Sequence, residues 1–343
     1  MKLTDIERKE FNRYFETYSF KEYLHDKTVL ITGSNGMTGK AIIKWILLEN
    51  EISGANCKII ASTRYPEVIP DYIEKNDKVE FCKFGTEREY TKKVEIDYII
   101  HAAAPTGRAF FVSNPVETLR ILVDESEKIL EIAREKEAKM VFLSSVEAYG
   151  VPNTKVPLKE DYVGAIDSLD IRNGYPIGKK AVEFLCYAMS KEYGVDVKIV
   201  RPSSIQGLFQ AYNEQRIFNE LLRCMVENKN LVMKSDGLSK KSIVYTLDAV
   251  TGILSVLFKG VAGEAYNITN PSTFLTMKDL ANTLFAEFRP QLNVEFDIED
   301  RTKTGYLPHL EFTQDISKLN SLGWYPLTDL KTMYKIDLER YGA

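Results

Sequence analysis

Val29-Leu30-Ile31-Thr32-Gly33-Ser34-Asn35-Gly36-Met37-Thr38-Gly39-Lys40 is the stretch on which the reading of this chain turns. A short apolar, β-branched run ends at Gly33. The segment Ala41-Ile42-Ile43-Lys44-Trp45-Ile46-Leu47-Leu48 is apolar and unbroken, which predicts a helix beginning within a few residues of the run. Between the two lie Gly33, Gly36 and Gly39 at a G-x-x-G-x-x-G spacing. Glycine has no Cβ and tolerates positive φ, so the backbone of this turn, Asn35 and Met37 included, can approach a pyrophosphate. The helix that follows aims its N-terminal amides and positive dipole end at the same anion. A glycine turn between a strand and a helix is the context that a dinucleotide fingerprint requires.

On either side of that turn the chain alternates strand and helix, as a parallel sheet with right-handed crossovers demands. Strands are expected at 29–32, 58–62, 79–82, 97–101, 139–143 and 195–200, and long helices at 115–136 and 178–193. Beyond Arg201-Pro202 the alternation loosens. Helices are expected at 215–228, 248–259 and 277–288, the last capped by Thr276 with Asp279 three residues on. Residues 243–245 read as extended, and 265–268 as a strand returning to the sheet. The fold class expected is α/β: a Rossmann-type doubly wound parallel sheet with a smaller, interleaved C-terminal substrate lobe. Residues 1–26 form a helical prefix, 27–202 the dinucleotide-binding part, to which 243–270 partly return, and 203–343 mainly the substrate-binding lobe. In the prefix, Phe11, Tyr14, Phe15, Tyr18 and Phe20 fall mostly at helical spacing. An amphipathic segment packed on the domain is the preferred reading, with a partner-binding helix as the alternative.

The 343 residues are 44% hydrophobic and 27% charged, the make-up of an ordinary globular protein. A net charge of −4 leaves no electrostatic footprint for nucleic acid or a membrane surface, and the apolar runs are too short to span a bilayer. The first ten residues are too charged for a secretory segment. Cys57, Cys82, Cys186 and Cys224 are scattered, without a C-x-x-C, and read as buried free thiols of a reducing compartment. His25, His101 and His309 are dispersed, so no metal site is expected. The expected location is cytoplasmic.

Ser144-Ser145 end the fifth strand, and Tyr175 and Lys179 are four residues apart on the next helix, hence on one face. A phenol is a poor base at its reference pKa of about 10, and an adjacent ammonium with a positive nicotinamide ring favours the phenolate. Lysine at this spacing also reaches ribose hydroxyls, and Ser145 can hold the substrate hydroxyl that loses its proton. The small residues Ala102-Ala103-Ala104 follow the fourth strand, where a backbone can lie against a cofactor. Strand two ends Ala61-Ser62-Thr63-Arg64 without an acidic residue for a ribose 2′-hydroxyl. Arg64 suits a 2′-phosphate or serves as a surface charge, which leaves NAD and NADP both open.

With those residues in place, the chain resembles the extended short-chain dehydrogenase/reductases, in their nucleotide-sugar epimerase/dehydratase branch. The likeness runs from Lys27 to the C-terminus. It rests on the glycine turn, Ser144-Ser145-x-Glu147-x-Tyr149-Gly150, Tyr175-x-x-x-Lys179 and Arg201-Pro202. Within the branch, His101-Ala102-Ala103-Ala104-Pro105, Asn114-Pro115, Glu160-Asp161-Tyr162-x-Gly164, Arg172-x-x-Tyr175-x-x-Gly178-Lys179 and Asn213-x-x-Arg216 are similar to UDP-glucuronate decarboxylases. The resemblance implies a bound NAD, a nucleotide-sugar substrate oxidised at C4, and a homodimer. It makes Tyr175 the base, Lys179 its activator and ribose ligand, Ser145 the holder of the 4-hydroxyl and Glu147 the group that moves protons at neighbouring carbons. It places Ser144 with the cofactor, and Pro105, Thr106, Arg172, Asn213, Arg216 and Lys241 with the substrate. Epimerisation or decarboxylation is the expected outcome. A 4,6-dehydratase, an NADPH-dependent reductase of a keto-sugar and a non-enzymatic dinucleotide sensor are the alternatives. Several residues depart from the branch. Val146 stands where dehydratases carry an aspartate and decarboxylases a serine, and Phe312 where decarboxylases carry an arginine. Lys241 replaces an arginine near the phosphates, which loses the bidentate fork. Leu122 replaces an asparagine and Glu125 a glycine.

Overall fold

The computed structural model describes residues 3–68, 70, 73, 76–105, 107–298 and 310–343. Helix α1 (Asp5–Phe15) and the single turn α2 (Lys21–Leu24) precede β1 (Thr28–Thr32), α3 (Met37–Ser53), β2 (Lys58–Thr63) and β3 (Val79–Lys83). Then come α4 (Glu87–Thr91), β4 (Tyr98–His101), α5 (Arg108–Ser113), α6 (Pro115–Glu135), β5 (Lys139–Leu143), α7 (Gly174–Tyr193), β6 (Val197–Pro202) and β7 (Ser204–Gln206). The chain continues through α8 (Ile217–Glu227), β8 (Leu231–Met233), β9 (Lys240–Lys241), β10 (Ile243–Tyr245), α9 (Thr246–Lys259) and β11 (Ala265–Ile268). It closes with β12 (Leu275–Thr276), α10 (Met277–Phe288), β13 (Val294–Phe296) and a C-terminal helix (Leu330–Arg340).

The central sheet runs β11-β6-β5-β4-β1-β2-β3 with every pair parallel. Strand order reverses between β1 and β4, which opens a crevice beyond their carboxyl ends, the usual ligand position in such sheets. The glycine turn leaves β1 there and Ala102–Ala104 leave β4, with Thr32 paired to His101 in register. The interior strands are covered on both faces and so read as continuous apolar runs. One face packs against α3 and α9, the other against α6 and α7. The sheet is therefore the doubly wound Rossmann type that the sequence predicts, and β11 does return to it. After β6 the architecture changes to three two-strand ladders, β7 with β10, β9 with β12 and β8 with β13. Helix α7 starts at Gly174, four residues before its expected start, because Pro176 sits in the first turn, where a missing N–H costs nothing. Helix α5 and the short strands β8, β9, β12 and β13 are too brief to carry a periodic signal. Thr276 caps α10 as expected, accepting from the Asp279 amide at 2.9 Å.

The prefix lies against the sheet's α3/α9 face. Phe11 and Tyr14 are fully buried, the Phe15 ring centroid is 4.4 Å from that of Trp45 on α3, and Phe20 meets Phe258 on α9 at 5.5 Å. Its polar anchor is Asp248, at the start of α9. The Tyr14 hydroxyl donates to Asp248 Oδ1 at 2.7 Å, and the Leu327 and Thr328 amides donate to the same carboxylate. Tyr14→Phe should lower unfolding free energy by roughly 1–3 kcal/mol, the cost of leaving a buried acceptor short of a donor, in urea titrations read by circular dichroism. An unchanged midpoint would remove Tyr14 from the anchor.

Candidate active site

The glycine turn is a cradle that side chains would fill. Gly33 has φ +70°, and a Cβ there would lie 2.8 Å from the Ala102 carbonyl, so β1 and β4 can come this close only with glycine at 33. A Cβ on Gly39 would collide with the Gly33 carbonyl oxygen. Gly36 caps α3 without any side-chain hydrogen bond, which leaves the helix's first amides to an anion. Asn35 is exposed and ties the turn to β2 by donating to Thr63 Oγ1 at 2.8 Å, and Met37 opens α3. His101 braces the opposite wall. Its Nδ1 is 2.7 Å from Thr32 Oγ1, which also accepts from the Ala103 amide, and its Nε2 is 2.9 Å from Ser126 Oγ on α6. Complete burial lowers this imidazole's pKa to about 3, so it acts as a neutral strut.

Ser145, Glu147, Tyr175 and Arg216 converge across the crevice from this turn. Ser145 caps a 3-10 turn over Val146–Tyr149, accepting from the Glu147 amide at 3.1 Å, and its side chain lies beside the Tyr175 phenol. Burial holds the Tyr175 phenol above its ordinary pKa and the nearby Glu147 carboxylate adds to this, against the neighbouring Ser145 hydroxyl and the charge of Arg216. Lys179, one turn on, is 2% exposed. Its Nζ donates to the Leu143 carbonyl at 2.5 Å and lies 4.6 Å from the Phe142 ring centroid and 5.8 Å from that of Tyr175. Burial lowers its pKa to about 7, opposed by Glu183. The ammonium thus flanks the tyrosine ring.

Other expected residues fall into three groups. Arg172 and Lys241 line one pocket with Val146, Glu147, Ser204 and Phe312. Arg172 Nη2 is 4.0 Å from Glu147 Oε2. Arg216 is exposed at the start of α8 beside Glu214, while Asn213 is exposed in the preceding loop and is not among the residues lining the pocket. Ala102, Ala103, Ala104 and Pro105 are half-buried beyond β4, Arg64 is exposed beyond β2, and Thr106 lies outside the described residues. Ser144 turns inward, donating to Glu183 Oε1 at 2.5 Å, so its hydroxyl is taken up within the protein.

Three contributors carry no short motif. Glu183 stands four residues beyond Lys179 on the same helical face, a spacing that was there to be read, and receives both Arg201 and Ser144. Phe111 on α5 stacks on Tyr175 at 5.4 Å and 20°, a contact between segments far apart in sequence. Glu87, at the start of α4, accepts from Ser62 Oγ at 2.5 Å and so brings a carboxylate to the end of β2 that the β2 sequence lacks.

A sheet of this order with a glycine turn at its switch point is the architecture of a dinucleotide-binding protein. The NAD dependent epimerase/dehydratase family model matches residues 29–269, and the chain belongs to that family. The chain is 26% identical over 315 residues to UDP-glucuronic acid decarboxylase 6 of Arabidopsis thaliana, covering 91% of this chain and 88% of that one. It is 28% identical over 312 residues to UDP-glucuronic acid decarboxylase 1 of the same plant, covering 88% and 67%. Two solved structures share the fold. UDP-glucose 4-epimerase from Thermotoga maritima, with UDP-glucose, gives a TM-score of 0.76 at 19% identity over 92% of this chain and 98% of that one. The dTDP-glucose 4,6-dehydratase from Bacillus anthracis, in complex with NAD, gives 0.74 at 21% identity over 92% and 96%.

The Lys179 shift predicts a pH dependence. Its pKa falls from 10.5 when unfolded to about 7 in the folded protein. Between those values the unfolded chain binds the extra proton, so folding stability rises with pH. Chemical denaturation of the cofactor-free protein should show this rise, and Lys179→Met should flatten it. An identical slope in the variant would place the titration elsewhere.

Proposed function

We propose that this protein holds NAD in the crevice and oxidises C4 of a nucleotide-linked sugar to a 4-keto intermediate that is reduced again, with C4 epimerisation as the net reaction. The Tyr175 phenol beside Ser145, Glu147 and Arg216 carries the reading, since it sets a base next to a hydroxyl-holding group at the edge of a cationic pocket. Gly33, Gly36 and Gly39, with the backbone of Asn35 and Met37, would hold the pyrophosphate. Ala102–Ala104 would line the cofactor's path and Lys179 its ribose. NAD over NADP is supported by the Glu87 carboxylate at the end of β2, where a 2′-phosphate would add a second negative charge. When bound, oxidised NAD supplies a hydride acceptor and a positive charge near the phenol. Ser145 fixes the C4 hydroxyl by hydrogen bond, and Tyr175 takes its proton as the carbonyl forms. Arg172, Arg216 and Lys241 supply cations for the diphosphate and sugar, with Pro105, Thr106 and Asn213 assigned to the same role by resemblance.

Decarboxylation is the second reading, favoured by the decarboxylase relatives and by Glu147, which stands near enough to Tyr175 to raise its pKa. The two are told apart by turnover in D2O. A 4-epimer forms without exchange at C5, whereas a decarboxylated product carries deuterium there. In either case Tyr175→Phe should cut turnover by at least about a hundredfold with cofactor affinity retained, as removal of a positioned acid-base group does. Turnover near wild type would exclude Tyr175 as the base.

A homodimer and a cytoplasmic setting complete the proposal. Val112, Val116, Leu119, Phe184 and Tyr187 are exposed apolar residues on α5, α6 and α7, a face suited to a second copy. Cys57, Cys82 and Cys186 are buried free thiols, in keeping with a reducing compartment. Sedimentation equilibrium should give twice the chain mass of 39.2 kDa, and Phe184→Asp should shift it to the monomer. A monomeric parent protein would remove the dimer.

A further inference from the structure

Val146 and Phe312 are distant in sequence and meet in space. Val146 packs against a cluster of Tyr149, Leu158, Leu310 and Phe312, and Val146, Leu310 and Phe312 also line the pocket that holds Glu147 and Arg172. One wall of the pocket is therefore apolar, and it begins at the residue after Ser145.

Thr313 and Gln314, beside that wall, use their donors inside the protein. The Thr313 hydroxyl pairs with Ser242 at 2.6 Å, and Gln314 Nε2 donates to the Arg201 carbonyl at 2.7 Å and to Asn267 Oδ1 at 2.8 Å. Two buried atoms left without a partner, Glu147 Oε2 and Gln314 Oε1, are acceptors. Glu147 Oε2 lies 4.0 Å from Arg172 Nη2, beyond hydrogen-bond reach, and Arg172 Nε is the third buried atom without a partner. Orphaned acceptors call for hydroxyl or amino protons and repel an anion. A carboxylate pressed on the valine and phenylalanine would lose its hydration to an apolar surface.

In a pyranose whose C4 hydroxyl meets Tyr175 and Ser145, the exocyclic carbon C6 is attached one ring atom away, within reach of the residue that follows Ser145. Resting on the nucleotide-sugar reading, we propose that this carbon is an uncharged methyl group seated on Val146, Leu310 and Phe312. The substrate is then a nucleotide-linked 6-deoxy sugar, with its ring hydroxyls or amino group given to Glu147 and Gln314. A nucleotide-linked uronic acid would set its carboxylate on this apolar wall, so the proposal favours epimerisation over decarboxylation.

The test is calorimetric binding to the NAD-loaded Tyr175→Phe protein, which cannot turn the ligands over. The probes are UDP- and dTDP-linked 6-deoxyglucose, glucose and glucuronate. The 6-deoxy sugar should bind at least about tenfold more tightly than the glucuronate of the same nucleotide, the least that an unpaired buried charge costs. Adding Phe312→Arg should reduce or reverse that ratio, and Val146→Ser should narrow it; melting curves show whether each variant is folded. Glucuronate binding as well as or better than the 6-deoxy sugar would overturn the methyl site and leave the nucleotide-sugar reading standing. Failure of every probe to bind would remove that reading and the methyl site with it.

Discussion

The Glu183 carboxylate receives the Arg201 guanidinium through Nε at 2.9 Å and Nη2 at 2.8 Å, and the Ser144 hydroxyl at 2.5 Å. These three residues come from α7, β6 and the end of β5. Arg201 also donates to the Glu160 carbonyl at 2.8 Å and lies 4.6 Å over the Tyr149 ring. One buried ion pair thus fixes the strand end that carries Ser145 and Glu147 relative to the helix that carries Tyr175 and Lys179. Removing one partner of such a pair leaves a buried charge uncompensated, typically at a cost of about 3–5 kcal/mol. The fold can hold this pair because the fork is bidentate and the remaining carboxylate lone pair takes a hydroxyl.

The same burial that makes the pair strong sets the resting state of the groups beside it. Tyr175 is pushed up and Lys179 down, each away from the charged form that proton abstraction uses. Two desolvated groups side by side make the site responsive to any positive charge brought next to the phenol, since little solvent screens it. Phe111 reinforces this by covering one face of the Tyr175 ring. The tyrosine's low intrinsic readiness is therefore a property of the enclosure.

Much of this was legible where chemistry is encoded locally. The glycine turn, the strand ending at Ser145 and the Tyr175/Lys179 spacing are each contained in one short segment, so periodicity and residue type suffice. Most of the sheet strands could be placed within two residues because both their faces are buried and the runs are uniformly apolar. What could not be read depends on contacts between distant segments. Nothing in the prefix names Asp248 as the partner of Tyr14, nothing in β2 points to Glu87, and Ser144 looks the same whether its hydroxyl faces out or in. The Phe111 stack needs a six-residue helix too short to show a period. Lys179 illustrates the limit within a motif, since spacing put it beside Tyr175 but not its ammonium on the Leu143 carbonyl.

The two halves of the site are held by different physics, and this has a consequence for specificity. The cofactor side stands on seven parallel strands in continuous register, where a one-residue change in backbone would propagate across the sheet. The substrate side stands on strands of two or three residues joined by side chains: Ser242 to Thr313, Thr273 to the backbone of Ile243, and Gln314 to Arg201 and Asn267. Such links fix backbone positions without using the side chains of Val146 and Phe312. Val146 and Phe312 pack instead with Tyr149, Leu158 and Leu310 and turn apolar surface to the pocket. A change at either position can redefine which sugar substituent is accepted while Tyr175, Ser145 and their ion-paired support stay in place. On the proposed function, the pocket wall is therefore where this fold can separate one sugar substituent from another.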